Sequence, residues 1–344
     1  MRRAVGSASL VGATVVALKL LLRRRRALSS SVTFETLDVF TDARFGGNQL
    51  AVVFDERERL SDADMQALAA EFGYSETTFV LPPRDAAHTA RVRIFSPTGE
   101  MPFAGHPNVG TATSLAWRGA LFGRAVRERV LLEELAGVVP VEILRDRAGR
   151  AAGAMLTAPE PFAIASPALD VGAVAAAIGL AAADLAVARH APLIATAGLP
   201  FILAELGSLD ALGRSRGDAA AFARARAPGG ALAAAPPKCL AYVRTGDGPA
   251  GLELRARMHR ADGTEDAGTG SANCCLVGLF AALHPAPATI SAAITQGVEM
   301  GRPSQLQGEA ERVSGGGEGA AAVGAVRIGG VCAAVSRGEL LGWD

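Results

Sequence analysis

The sequence predicts an α+β fold of two related halves, with sheet wrapped on helix. Three observations carry this. Strand-like and helix-like segments alternate in the order strand–strand–helix–strand–strand–helix–strand–strand over residues 32–148. The same order recurs more loosely over residues 149–344. An ungapped shift of 165 positions lays Glu100, Gly105, His106 and Asn108 of the first stretch on Glu265, Gly270, Ser271 and Asn273 of the second. The domains expected are therefore an N-terminal segment 1–31, a first half 32–148 and a second half 149–344, with the last strand free to return to the first half.

Each element has a local reason. VTFETLDVF (Val32–Phe40) alternates as a half-buried strand, and LAVVFD is a buried one after the Gly-Gly-Asn turn. SDADMQALAAEFG offers Ser61 as helix N-cap and Gly73 as stop. ETTFVLPP ends as a strand at Pro82-Pro83, TARVRIFSP alternates, NVGTATSLAWRGAL is helical, and RVLLEELAGVVPVEIL reads as two strands around Gly137. In the second half PLIATAGLPFILAEL is a strand pair around Gly198, SLDALGRS and GDAAAFARARA are helical, and KCLAYVRT and LELRARMHR are strands. NCCLVGLFAAL is a helix, ATISAAITQG and RPSQLQGEAERV are strands, Ser314–Gly324 is a low-complexity loop, and AVRIGGVCAAVSRGELLGW supplies the last strands.

Composition excludes several classes. With 344 residues, half of them apolar, the chain can bury a large core. Basic and acidic residues balance at 34 each, and no basic–aromatic interleaving suggests nucleic-acid binding. Lysine occurs only as Lys19 and Lys238, a bias of genome composition. The four cysteines, Cys239, Cys274, Cys275 and Cys332, fit neither a zinc spacing nor a disulfide framework, and read as reduced and buried. No metal site is expected.

Residues 1–34 hold seven basic residues and no acidic one, leaving 27 basic against 34 acidic in the remainder. The apolar run Ala4–Leu22 followed by four arginines has three readings: an organelle presequence, a single membrane anchor, or an extension without a role. Membrane or import contact is expected through residues 1–31 only.

SPTGEMPFAGHPNVGTA (Ser96–Ala112) and ADGTEDAGTGSANCCLV (Ala261–Val277) each put glycines between a strand and a helix. Free N–H groups at a helix N-terminus, with the helix dipole, favour an anion, and glycine lets a ligand approach bare backbone. Two such turns facing each other make a carboxylate-binding cleft near Gly105 and Gly270. His106 and Ser271 take matching places over it, and Asp266 is placed to orient an amine or hydroxyl. Glu76 heads an apolar strand, where a carboxylate suits general acid/base work. Bland alternatives stand beside each: a strand-edge Glu76, a satisfied turn His106, a helix-capping Asp266. Ala104 and Ala267 leave neither turn a thiol, which disfavours two-thiol racemisation.

The segments DVFTDARFGGNQLAVVFD, SETTFV, RIFSPTGEMPFAGHPNVGTA, TEDAGTGSANCCL and QGVEMGRPSQL, spanning Asp38–Leu306 in this order, resemble the phenazine-biosynthesis-like (PhzF-type) isomerases of the diaminopimelate-epimerase-like fold. The resemblance implies two similar halves, each a curled sheet around a central helix, with the active site between them. It implies homodimers, a soluble cytoplasmic setting, and neither metal nor organic cofactor. The family's proton-shuttling Glu falls on Glu76, and its substrate-holding His, Asp and Ser fall on His106, Asp266 and Ser271. The family's Pro after Glu-Asp is Ala267 here, and a common His after TGSA is Asn273. The expected function is a cofactor-independent isomerase of a small carboxylate-bearing metabolite. Its rivals are an epimerase with a non-cysteine second base, His106 for example, and a non-catalytic binding protein. Gln296 and Arg302 are candidates for the cleft wall, Arg302 equally for an ion pair.

Overall fold

The computed structural model describes residues 32–249, 251–284, 288–313 and 322–343. The expected targeting or anchor segment, residues 1–31, and most of the Ser314–Gly324 loop lie outside the described residues. No helix among the described residues is long and apolar enough to cross a membrane.

The chain opens with β1 (Thr33–Val39) and β2 (Asn48–Phe54), followed by α1 (Asp62–Phe72), β3 (Glu76–Leu81), β4 (Ala90–Ser96), β5 (Gly99–Met101) and α2 (Gly105–Arg118). Ser61 and Asp64 form a reciprocal capping box at the start of α1, and Gly73 ends it at φ 64°. A short pair, β6 (Ala120–Leu121) and β7 (Arg124–Ala125), leads to β8 (Arg129–Glu134), β9 (Gly137–Arg145) and β10 (Ala151–Thr157). Then come β11 (Ala163–Ser166), α3 (Val171–Ala177), a 3-10 turn, β12 (Leu193–Thr196), β13 (Pro200–Glu205), α4 (Leu209–Arg214) and α5 (Ala219–Arg226). β14 (Lys238–Gly248), β15 (Gly251–Arg260), β16 (Glu265–Asp266), α6 (Gly270–Leu283), β17 (Ala288–Gln296), β18 (Ser304–Val313) and β19 (Ala322–Glu339) complete the chain.

Eight strands close on themselves. β1, β2, β3, β4, β8, β9, β10 and β19 each pair with the next, and β19 pairs back with β1. α2 packs against β1, β2, β3, β9, β10 and β19 of this barrel, and Gly105 through Leu115 are all buried. Such total burial explains its composition: small residues and satisfied hydroxyls, with Thr113 bonded back to the Val109 carbonyl at 2.7 Å.

The remaining strands extend the same sheet from β18, which pairs with β19. From β1 to β10 the neighbours pair antiparallel, parallel, antiparallel, parallel, antiparallel, antiparallel; from β12 to β19, omitting β16, the same sequence of pairings runs again. α6 packs on β12, β13, β17, β18 and β19. The second run pairs β12 with β11 and shares β19 with the barrel, so the expectation of two similar halves fits only loosely. One apolar cluster contains both α2 and α6 residues, Val109 and Leu115 with Leu276 and Val277.

One stretch is left without elements by the sequence reading and another differs from it. Residues 149–191, rich in alanine, hold β10, β11 and α3. The C-terminal strands are one strand, β19, which pairs with β18 early and with β10 and β1 later.

Register matches Glu134 with Gln296. Arg91 faces Glu133 across β4 and β8, and Arg255 faces Thr295 across β15 and β17, so Glu134 and Gln296 take the next place in each strand. Gln296 accepts from the Asn273 amide at 2.8 Å. Glu134 faces Asn108 in the same way, but its carboxyl oxygens are sealed from solvent and complete no hydrogen bond of full geometry. Burial holds the Glu134 carboxyl well above the usual carboxylate range, opposed by Asn108. A folded-state pKa above the unfolded one means that the fold keeps a proton the unfolded chain releases. Stability from this group is full below pH 4.5 and is lost as pH rises towards the folded value. Glu134→Gln is therefore expected to match the wild type in melting temperature near pH 4 and to exceed it at pH 7. The gap grows by about 1.4 kcal/mol per pH unit between the two pKa values, and melting curves across that range check it.

Candidate active site

The starts of α2 and α6 touch. A Cβ built on Gly105 would lie 2.8 Å from the Ser271 nitrogen and 2.9 Å from the Gly270 Cα, and one on Gly270 would lie 3.2 Å from the Gly105 Cα. The sequence reading gives these glycines to a ligand; in the structure they are needed first by each other, because any side chain would hold the two helices apart. The other α-helices among the described residues begin with a side chain, Ser61, Asp170, Ser208 or Asp218, that accepts from the first turn. α2 and α6 begin with Ala104 and Thr269 and have no side-chain cap. Two sets of free N–H groups thus converge on one place.

All six expected residues, Glu76, Gly105, His106, Asp266, Gly270 and Ser271, line one cavity at that junction. The cavity is partly open to solvent, and the space in it open to the centre of a water molecule is about 30 Å³. Glu76 enters from the start of β3, 8 % exposed. Its Oε2 stands 3.6 Å from His106 Nε2. Asp266 ends β16, with Oδ2 accepting from the Thr269 hydroxyl at 2.5 Å. Met101, Leu199, Phe201 and Met258 make the apolar wall, and Lys238 and Arg260 add two cations.

Asn48 is the hub that the sequence reading missed. Its Nδ2 donates to Asp266 Oδ1 and to the Gly268 carbonyl, each at 2.9 Å, and meets His106 Nδ1 at 3.2 Å. Its Oδ1 accepts from the Ser75 hydroxyl at 3.2 Å. These partners fix which end of the amide is which. An NH₂ group offers His106 Nδ1 no lone pair, so the neutral ring carries its proton on Nε2. That buried Nε2–H has no hydrogen-bond partner and points to the Glu76 side of the cavity. The one signal in the sequence was the Gly-Gly-Asn turn, and nothing there distinguishes a hub from an ordinary turn Asn.

Gln296, fully buried, braces the second turn. Its Nε2 donates to the Asp266 carbonyl at 2.8 Å and to the Thr269 hydroxyl at 3.1 Å. Arg302 is not in the cavity. Its guanidinium bonds Asp38 and the Gly46 and Gly47 carbonyls, the ion-pair alternative of its reading. Burial raises the Asp38 carboxyl above its ordinary pKa, against the Phe45 N–H and Arg302. All four cysteines are free and buried, and burial pushes the Cys275 thiol up to about 12. Among the described residues no group of three His, Cys, Asp or Glu is placed to hold a metal ion.

Comparison with known proteins gives a consistent result. Residues 37–338 match the family model described as phenazine biosynthesis-like protein. An uncharacterized isomerase of Mesorhizobium japonicum is 38% identical over 88% of this chain and 96% of its own length. The trans-2,3-dihydro-3-hydroxyanthranilate isomerase of Pseudomonas aeruginosa is 34% identical over 89% of this chain and 98% of its own. The crystal structure of a Bacillus anthracis phenazine biosynthesis protein of the PhzF family superposes with TM-score 0.75 at 21% identity, covering 90% of this chain and 99% of that one.

Three substitutions check the junction and its hub. Gly105→Ala places a Cβ against backbone and is expected to cost about 1–3 kcal/mol in denaturant unfolding. Gly270→Ala, with its nearest atom at 3.2 Å, is expected to cost less. Asn48→Ala strips the donor from Asp266 and is expected to destabilise by about 1–3 kcal/mol, read by the same unfolding curves.

Proposed function

The chain belongs to the phenazine biosynthesis-like family and is an isomerase, and from that premise we propose that it isomerises a small carboxylate-bearing metabolite by proton transfer through Glu76, using protein groups alone. The observation that carries this is the Glu76 carboxylate lying 3.6 Å from the unpartnered His106 Nε2–H, where two uncapped helix N-termini meet. The N–H groups around Gly105 and Gly270 hold the substrate carboxylate. Asp266 and Ser271 take its amine or hydroxyl side, and His106 Nε2–H donates to an oxygen that gains charge. Glu76 removes a proton from a carbon beside the acid group; the electron pair enters the neighbouring π system, and the Glu76 acid returns the proton at another carbon. No atom is gained or lost, and the double bond has moved. The recurring order of strand pairing supports a reading of the chain as two related halves meeting at this cavity.

The relative from Pseudomonas aeruginosa names a reference compound, the monocarboxylate trans-2,3-dihydro-3-hydroxyanthranilate, to be tried beside small cyclic acids with one and with two acid groups. Wild type is expected to turn over one of them, with deuterium from heavy water entering at the newly protonated carbon. Glu76→Gln is expected to lower kcat by a factor of about 10²–10⁴ while a thermal shift with the same acid persists. Unchanged turnover in Glu76→Gln would show the base to be another group. Deuterium at a retained stereocentre with a matching reverse rate would make the protein an epimerase, and stabilisation by an acid without any chemical change would make it a binding protein.

A further inference from the structure

Two cations in the cavity are left unused by proton transfer. Lys238 opens β14 and sits directly across from Arg260 of β15, so both side chains stand on one face of the sheet. Arg260 has a partner, its Nη2 lying 3.7 Å from Asp266 Oδ1. Lys238 has neither a salt bridge nor a hydrogen bond from its ammonium among the described residues. Its Nζ stands 5.8 Å from the centroid of the Phe201 ring, at the edge of cation–π range. Two cations facing each other across neighbouring strands repel, and this half-buried lysine has no counter-charge of its own among the described residues.

The place of Lys238 in the fold is equally specific. Thr77, Phe95 and Glu100 form one rung across β3, β4 and β5; Cys239, His259 and Glu265 form the corresponding rung across β14, β15 and β16. In each rung the acidic residue is ion-paired to an arginine of the middle strand, Arg93 to Glu100 and Arg257 to Glu265. The residue before the first rung is Glu76 and the residue before the second is Lys238. Matching strand starts thus deliver a carboxylate and an ammonium to one cavity. The chain has two lysines against its many arginines, and the one among the described residues stands here. A compact ammonium on a flexible stem, with three rotatable donors, can meet an anion from several directions.

We propose that Lys238 is a specificity-determining residue that binds a second anionic group of the substrate, so that the site selects dianionic acids over monocarboxylates. This rests on the carboxylate-isomerase reading: the helix N-termini take one acid group and Lys238 takes the other, with Arg260 beside it.

The test is calorimetric titration of the full-length protein with succinate, glutarate and adipate, each set against its own monoamide, which keeps length and removes one charge. At least one diacid is expected to bind wild type about tenfold or more tighter than its monoamide. Lys238→Met is expected to abolish that preference while binding the monoamide within about twofold of wild type; Lys238→Arg, which keeps the charge, retains the preference. Lys238→Gln takes the place of Lys238→Met should the latter not fold. Equal binding of diacid and monoamide by wild type, or a preference that survives in Lys238→Met, overturns the assignment of Lys238 and leaves the carboxylate site standing. Binding of no acid by wild type overturns the carboxylate site and the assignment together.

Discussion

The site depends on the contact between two helix starts with no side chain between them. Each helix N-terminus carries the equivalent of roughly half a positive charge, so bringing two together at backbone distance is unfavourable in itself. The surrounding structure bears that cost. Neither helix spends its free N–H groups on a capping side chain. Glu76 and Asp266 supply negative charge nearby, and an acid group bound at the junction would supply more. A site with unpaired donors and converging dipoles is thus arranged for an anion before any substrate arrives, which is the condition under which electrostatic stabilisation is effective.

Holding two like ends together requires a rigid frame behind them. On the α6 side this is amide chemistry: Gln296 ties the Asp266 carbonyl, Thr269 and Asn273 together, and Asn48 ties Asp266 and Gly268 to β2. On the α2 side the place matching Gln296 is held by Glu134, whose carboxyl burial holds well above its ordinary pKa, so that it can take the part of an amide only while it holds its proton. The barrel closes around α2, and β19 continues from the barrel into the sheet that carries α6. One strand therefore links the two supports, and displacement of either helix start is resisted by the same sheet.

Much of this was legible in the sequence because it was written in local patterns. The capping residues of α1, the alternation in β1 and β4, and the two strand–turn–helix motifs needed no distant partner to be read. The six expected site residues do meet in one cavity: five lie on those motifs, and Glu76 heads the separate strand β3. Asn48 and Lys238 were not assigned roles because their meaning is topological. Asn48 matters through contacts 58 and 218 residues away, and Lys238 through a strand register that no window of sequence contains. Barrel closure through β19 was invisible for the same reason, and the alanine-rich stretch before β12 offered too little contrast between faces to be read at all.

The geometry also bears on which proton chemistry the cavity favours. An epimerisation by two bases needs them on opposite faces of one carbon, with room for that carbon between. Glu76 Oε2 and His106 Nε2 are 3.6 Å apart, a distance that a carbon and its substituents cannot occupy without forcing them apart. Thiols do not supply the alternative, because Cys274 and Cys275 are buried in α6 and burial raises both far from thiolate. A proton lifted and returned on one face by a single carboxylate needs no second base. It needs only that the carbon skeleton stay fixed while the carboxylate serves two positions in turn. In the proposed reaction the helix junction, Asp266 and Ser271 would keep the skeleton still, and Glu76, at the first residue of its strand, would serve the two positions by rotation at Cγ and Cδ.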